Sequence, residues 1–176
     1  SDVCSSDLES VVLGYAAGAR SHGAVVRTGV DVTGITMSDG VITGVSTSRG
    51  DVATDVVVCC AGAWSREVAE MAGVQLPVEP LRRQIFVTEP ISAELSRQIP
   101  FDHPMTIDAA STFYFHREGP GVLYGMSYQA ETPGFKHEYS DDWLEPLMEA
   151  VASRCPALLD VGIAHRWSGL YEVTPD

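Results

Sequence analysis

Apolar residues at Val11, Val12, Tyr15, Ala16 and Ala19 recur three and four positions apart, and His22-Gly23 follows as a stop. That spacing predicts a short amphipathic helix beginning at Glu9. The period then changes from helical to alternating. Residues 24–28, 30–37 and 41–47 read as strands, with Ser38-Asp39-Gly40 as a hairpin signal between the last two; a turn at 48–51 leads to a further short run at 52–54. The segment Asp55-Val56-Val57-Val58-Cys59-Cys60 is continuously apolar after its first residue. This is the pattern of a strand covered on both faces in a parallel sheet, with Cys59 and Cys60 as small buried side chains. It runs into Ala61-Gly62-Ala63-Trp64 and a short helix over 65–71, closed by Gly73.

In Leu76-Pro77-Val78-Glu79-Pro80, two prolines fix an extended crossover that neither a helix nor a central strand could continue, so a second lobe is expected to begin there. Beyond it, 82–89 reads as a strand, and 112–117 with 122–127 as a hairpin across Glu118-Gly119-Pro120-Gly121. A helix is predicted over 141–154, with Ser140 as N-cap, Asp141 and Asp142 in its first turn, Arg154 near its end and Pro156 beyond. Trp143, Leu144, Leu147, Met148 and Val151 form its apolar face, and 164–173 reads as a last strand.

Composition narrows the function classes. With 45% hydrophobic and 20% charged residues the chain belongs with globular proteins. Its 24 acidic against 11 scattered basic residues give a net charge of −13, which argues against nucleic acid or an anionic membrane as partner. No apolar run approaches the roughly 20 residues that span a bilayer, and the cytoplasm is the expected location. The four cysteines show no Cys-x-x-Cys spacing, so neither a disulfide framework nor a metal site is expected. The chain starts without Met and stops at Thr174-Pro175-Asp176 straight after a strand-like run, as an internal stretch of a longer protein would. Residues 1–8, with Cys4, resemble a translated sequencing-adapter oligonucleotide and are read as a non-native leader.

The meander, the apolar strand, Ala-Gly-Ala-Trp with its helix, and Leu-Pro-Val-x-Pro together resemble the second half of the flavin domain in the D-amino-acid oxidase superfamily of FAD-dependent oxidoreductases. Pro80-Leu81-Arg82-Arg83-Gln84-Ile85-Phe86-Val87-Thr88-Glu89-Pro90, Phe113-Tyr114-Phe115-His116-Arg117-Glu118-Gly119 and Trp167-Ser168-Gly169-Leu170-Tyr171-Glu172-Val173-Thr174-Pro175-Asp176 are similar to segments of sarcosine oxidase beta subunits and related dehydrogenases, and follow in the family's order. The resemblance implies a mixed α/β (α+β) fold. Residues 9–76 would form a partial Rossmann-like FAD domain with a β-meander, 77–165 an antiparallel-sheet substrate domain, and 166–176 a return strand.

Read as residues alone, Ala61-Gly62-Ala63 serves either close approach of backbone to a ligand or a tight strand-to-helix turn. The resemblance implies the first: Cys60, Ala61, Gly62 and Trp64 at the flavin cofactor and the backbone of Val32 at its adenine. The family's Gly-x-Gly-x-x-Gly turn is absent from the chain, and Gly14-Tyr15-Ala16-Ala17-Gly18 lacks the preceding strand that would make it a substitute. Gly169 stands where monomeric sarcosine oxidases carry the cysteine that tethers flavin, so FAD is expected to be bound non-covalently. The histidine that tethers a second flavin, FMN, in heterotetrameric relatives would fall at or beside Leu8, which leaves that flavin open.

Alternation along 112–116 puts Phe113 and Phe115 on one face and Tyr114 and His116 on the other. The resemblance makes Tyr114 a substrate-lining tyrosine, and His116 could take or relay a proton. Ser127 matches a position where some relatives carry an active-site His, and would offer a hydrogen bond. Arg82, Arg83, Arg117 and Arg166 are candidates for a substrate carboxylate, with Arg166 placed at the substrate pocket.

The implied activity is oxidation of the C–N bond of a small amino acid or N-methyl amino acid (sarcosine, glycine or proline-like) by hydride transfer to FAD, and the resemblance also implies a hetero-oligomer with other oxidase subunits as a candidate assembly. One alternative is a non-catalytic flavin-binding or scaffold subunit; another is a lobe that binds small carboxylates without flavin.

Overall fold

The computed structural model describes residues 8–175. The expected leader therefore lies outside the described residues except for Leu8, as do Cys4 and Asp176. The described chain divides into two compact units, 8–80 with 171–175, and 81–170.

The first unit opens with helix α1, Leu8–Ser21, which ends as Gly23 turns at φ +90°. None of its residues is buried: Val11, Val12, Leu13 and Tyr15 are all exposed. The predicted apolar face exists, but among the described residues nothing covers it. Strands β1 (Val32–Ser38), β2 (Val41–Thr47) and β3 (Val52–Ala53) form an antiparallel meander in that order. Its first hairpin closes on Asp39 at φ 50° and Gly40 at φ 80°, the two positive angles that a tight two-residue turn of this hand requires.

Two expected strands are absent. Residues 24–28 and 55–60 carry no strand pairing; Val56 and Val58 are 68% and 79% exposed, and Cys59 and Cys60 are exposed rather than buried. A strand is a pairing, and no described strand lies beside either run to supply the ladder. A 3₁₀ turn, Gly62–Trp64, and helix α2, Ser65–Glu70, follow as expected, with Gly73 at φ 72° past the helix end.

The second unit is built on a sheet of order β5-β6-β7-β4-β8. Its strands are β4 (Glu79–Thr88), β5 (Thr106–Ile107), β6 (Tyr114–Glu118), β7 (Gly121–Gly125) and β8 (Ile163–Val173). Alternation makes the sheet two-faced: along β4, Arg82, Gln84, Phe86 and Thr88 are buried, while Leu81, Arg83, Ile85 and Val87 are half-buried.

Helix α4, Leu144–Arg154, covers the buried face. It is entered through a 3₁₀ turn, Asp141–Trp143, where the Ser140 side chain accepts from the Asp142 N–H at 3.2 Å. The Ser140 N–H donates to Gln84 Oε1 at 2.8 Å, tying the helix start to β4. Trp143, Leu147 and Val151 are fully buried against Phe86, Phe113, Val122 and Tyr124, with the Phe86 and Tyr124 rings edge to face at 5.6 Å. Helix α3, Ala93–Gln98, capped by Ser92, was not foreseen; six residues that bury one leucine, Leu95, are too few to show a helical period.

The buried face also carries charge. Glu131 Oε2 accepts from Arg82 Nε at 2.8 Å while its Oε1 accepts from Lys136 Nζ at 2.7 Å, and Arg82 Nη1 donates to the Glu138 carbonyl at 2.7 Å. These contacts pin the 131–138 loop to β4. Burial acts to raise the Glu131 carboxyl, but the hydrogen bonds from Lys136 and Arg82 outweigh it and hold the group below its ordinary value.

A carboxyl lowered in the folded state contributes stability above its unfolded pKa of about 4.3 and loses it as pH falls through the lower folded value. The melting temperature should therefore drop between about pH 5 and pH 3, and less steeply in Glu131→Gln. At neutral pH that substitution should cost about 3 kcal/mol in urea unfolding, because it leaves Arg82 buried beside a neutral amide.

Candidate functional site

The half-buried face of the five-stranded sheet holds the candidate chemistry. Residues Ile107, Tyr114, Gly125 and Ile85 lie opposite one another across β5, β6, β7 and β4, and His116 follows one row on, opposite Leu123, which pairs with Val87. A Cβ placed on Gly125 would lie 2.9 Å from the Tyr114 hydroxyl, 3.0 Å from the Gln84 carbonyl and 3.0 Å from Ile85 Cγ2. The Tyr114 ring thus reaches across β7 toward β4, over a position that only glycine leaves open.

His116 Nδ1 lies 2.7 Å from the carbonyl oxygen of Arg117, with Glu118 Oε2 at 4.0 Å. A carbonyl only accepts, so Nδ1 carries the proton and, in the neutral ring, Nε2 holds the lone pair. The histidine is oriented by its own strand, with the basic nitrogen at the far end of the ring.

Ser127 lies two residues past Gly125. Its N–H donates to Thr112 Oγ1 at 3.0 Å and its carbonyl accepts from that hydroxyl at 3.3 Å and from Gln129 Nε2 at 3.1 Å, which extends the β6–β7 hairpin. Thr112 takes φ +61° to make these bonds, a strained angle for a β-branched residue.

The four candidate arginines separate. Arg82 is held in the ion network on the core face. Arg117 also turns to the core face, where its Nη2 donates to the Gly119 carbonyl at 3.2 Å. Arg166 lies by Tyr139 and Asp141 at a recess bounded by Phe86 and Tyr124, again the core side, so the structure does not bring it to Tyr114 and His116. Arg83 alternates with Arg82 and shares the Ile85 face; its Nη1 donates to the Arg82 carbonyl at 3.4 Å. Sequence reasoning singled out Arg166, the one the structure sets on the core side, over Arg83, and missed Gly125 and Ile85. Strict alternation from the buried Phe86 was the signal that could have found Ile85 and Arg83.

In the first unit, Val32 opens β1 opposite Thr47 and is 43% exposed. Cys60 is exposed, Ala61 half-buried, and Gly62 has φ +53°; a Cβ there would meet only Glu172 Oε2, at 3.9 Å. Ala63 is buried under the turn and Trp64 is 45% exposed. The space beside Gly62 is thus nearly free of side chains, which suits close approach of a ligand to its backbone. Among the described residues no group of three His, Cys, Asp or Glu side chains is placed to hold a metal ion, and no helix is long and apolar enough to cross a membrane.

Compared with known proteins, residues 3–176 match the family model described as FAD dependent oxidoreductase. The chain is 31% identical over 172 residues to the sarcosine oxidase subunit beta of Rhizobium meliloti (strain 1021), a match covering 96% of this chain and 39% of that protein. It is 28% identical over 151 residues to a glycine oxidase of Pseudomonas putida, covering 86% of this chain and 39% of the other. Among solved structures, L-proline dehydrogenase from P.horikoshii superposes with a TM-score of 0.83 at 27% identity, over 94% of this chain and 44% of that one. The chain therefore spans less than half the length of these relatives.

Gly125→Ala should cost about 1–3 kcal/mol, because the added methyl meets both a main-chain carbonyl and the Tyr114 hydroxyl. Combined with Tyr114→Phe, which removes the hydroxyl contact and keeps the carbonyl contact, the loss should be smaller than the sum of the single changes. A double-mutant cycle in urea measures the difference.

Proposed function

The chain belongs to the FAD dependent oxidoreductase family, and from that premise we propose that it forms part of an enzyme oxidising the C–N bond of a small amino acid or N-methyl amino acid of the sarcosine, glycine or proline kind. The mixed α/β fold with antiparallel sheets, shared with L-proline dehydrogenase, supports the reading. Val32, Cys60, Ala61, Gly62 and Trp64 would hold FAD non-covalently, a reading that the open space beside Gly62 supports. When bound, FAD supplies a two-electron acceptor.

The observation that carries the proposal is the half-buried sheet face with Tyr114, His116 and Arg83 on it. An amino acid substrate arrives as a zwitterion, and only the neutral amine pushes electron density onto the C–H bond that breaks. In this reading His116 Nε2 takes the ammonium proton, Nδ1 remaining bonded to the Arg117 carbonyl as the imidazolium forms. Arg83 holds the carboxylate, Tyr114 walls the pocket with its hydroxyl aimed across Gly125, and Ser127 offers a further hydrogen bond. The relative named sarcosine oxidase subunit beta supports placing the chain within a hetero-oligomer. In this reading 9–76 serve the cofactor and 77–165 the substrate, whereas the compact units of the chain divide between 80 and 81.

In the flavin-loaded enzyme, His116→Gln should lower kcat about 10²-fold at neutral pH and recover part of the loss at high pH, where the amine is already neutral. Arg83→Lys should raise KM for the amino acid more than it changes kcat. Turnover unchanged in both variants, and in Tyr114→Phe, would count for a non-catalytic flavin-binding subunit. Hydrogen peroxide released in step with substrate use would make the enzyme an oxidase rather than a dehydrogenase.

A further inference from the structure

The core side of the second unit holds a cavity of about 270 Å3 that the proposed reaction does not use. Its floor and walls are apolar: Phe86 on β4, Tyr124 on β7, Leu144 and Met148 on α4, and Leu158 beyond it. Three of these, Phe86, Tyr124 and Leu158, are at most 4% exposed. The rim is charged with both signs. Arg166 Nη1 stands 3.9 Å from Asp141 Oδ1, with side chains 59% and 73% exposed, and the Arg166 guanidinium carbon lies 4.4 Å from the centre of the Tyr139 ring. Tyr139 also lines the cavity, and its hydroxyl faces Asp141, Trp143 and Arg166.

These features select a ligand. A cavity of about 150 Å3 lined by Leu, Ile and Phe is enough to take up benzene, so this one has room for a benzene-sized group and the carbon that bears it. The apolar floor excludes a charged head, while the rim offers a cation and an anion a few ångströms apart. An exposed pair at that separation contributes little by itself, so a molecule that inserts between the two charges gives up almost nothing. The Tyr139 hydroxyl, set beside both Asp141 and Arg166, is a donor that turns to an incoming carboxylate once an ammonium takes its place at Asp141.

We propose that this cavity binds the zwitterion of an apolar α-amino acid of leucine to phenylalanine size. Its carboxylate bridges Arg166 and the Tyr139 hydroxyl, its ammonium meets Asp141, and its side chain fills the space among Phe86, Tyr124 and Leu158. The site lies on the opposite sheet face from Tyr114 and His116, since these alternate with the buried Phe113 and Phe115. It requires neither flavin nor turnover and does not rest on the proposed reaction.

Titration calorimetry of the full chain with L-phenylalanine tests it, with and without added FAD. Saturable binding of equal affinity in both cases is expected. Arg166→Ala and Asp141→Asn should each weaken it about tenfold or more, as should replacing the probe with 3-phenylpropionate or 2-phenylethylamine, which each lack one charge. Both substituted residues are exposed, so an unchanged melting temperature certifies the fold. Leu158→Phe, which fills the floor, provides a second variant and should abolish binding. No saturable heat with L-phenylalanine up to about 10 mM would overturn the proposal. So would affinity untouched by the two rim variants, or equal affinity for 3-phenylpropionate. Binding lost in Tyr114→Phe but kept in Arg166→Ala would assign the ligand to the other face and equally overturn it.

Discussion

The two-residue alternation of the five-stranded sheet is the constraint on which the second unit depends. Every even position of β4 from Arg82 to Thr88 is buried, and the core of Trp143, Leu147 and Val151 closes over that side alone. A slip of one residue in the β4–β7 register would turn Phe86 out and Ile85 in, and with them the whole apolar set. The burial of one face therefore fixes what the other presents. Tyr114 reaches across Gly125 to Ile85, and His116 stands opposite Leu123, because Phe113, Phe115 and Tyr124 are committed to the core.

The same alternation decides the fate of adjacent like residues. Arg82 and Arg83 are neighbours of one type, yet one is locked beside Glu131 at 9% exposure and the other shares the face of Ile85. A buried guanidinium with its carboxylate partner is costly to disturb and contributes mostly order: here it anchors the 131–138 loop through Glu131, Lys136 and the Glu138 carbonyl. Arg117 shows the same division on β6, beyond β7. Its side chain goes to the core while its carbonyl orients His116 on the opposite face.

What was legible in the sequence is what is locally determined. The hairpin at Asp39-Gly40, the Gly119-Pro120 turn, the Ser140 cap and the apolar face of α4 are each specified within a dozen residues, and each formed where the pattern put it. The strands expected at 24–28 and 55–60 depend on partners elsewhere, which no apolar run can supply by itself; exposed Val56, Val58, Cys59 and Cys60 are the result. The candidate site was legible in part. Period two separated Tyr114 and His116 from the phenylalanines, but the row that joins Tyr114 to Gly125 and Ile85 depends on the pairing of Ile85 with Gly125, far apart in the chain. For the same reason the sequence alone sets Arg166, on a late strand, at the substrate pocket, whereas it lines the core-side recess.

Precision of a site follows from what holds its side chains, and here the holding groups are main-chain atoms. His116 is oriented by the carbonyl of the next residue on its own strand, and that residue is fixed by its pairing with Val122 and by a side chain turned into the core. Tyr114 is confined by a glycine whose missing side chain is what leaves the space. Neither arrangement requires a loop to close or a second side chain to arrive, so both are present before any ligand binds. In the proposed role of proton acceptor, His116 would need little reorganisation, since the Nδ1 bond serves the neutral ring and the imidazolium alike. The rigid face and the packed core are thus one construction: the residues that stabilise the sheet are also those that aim its chemistry.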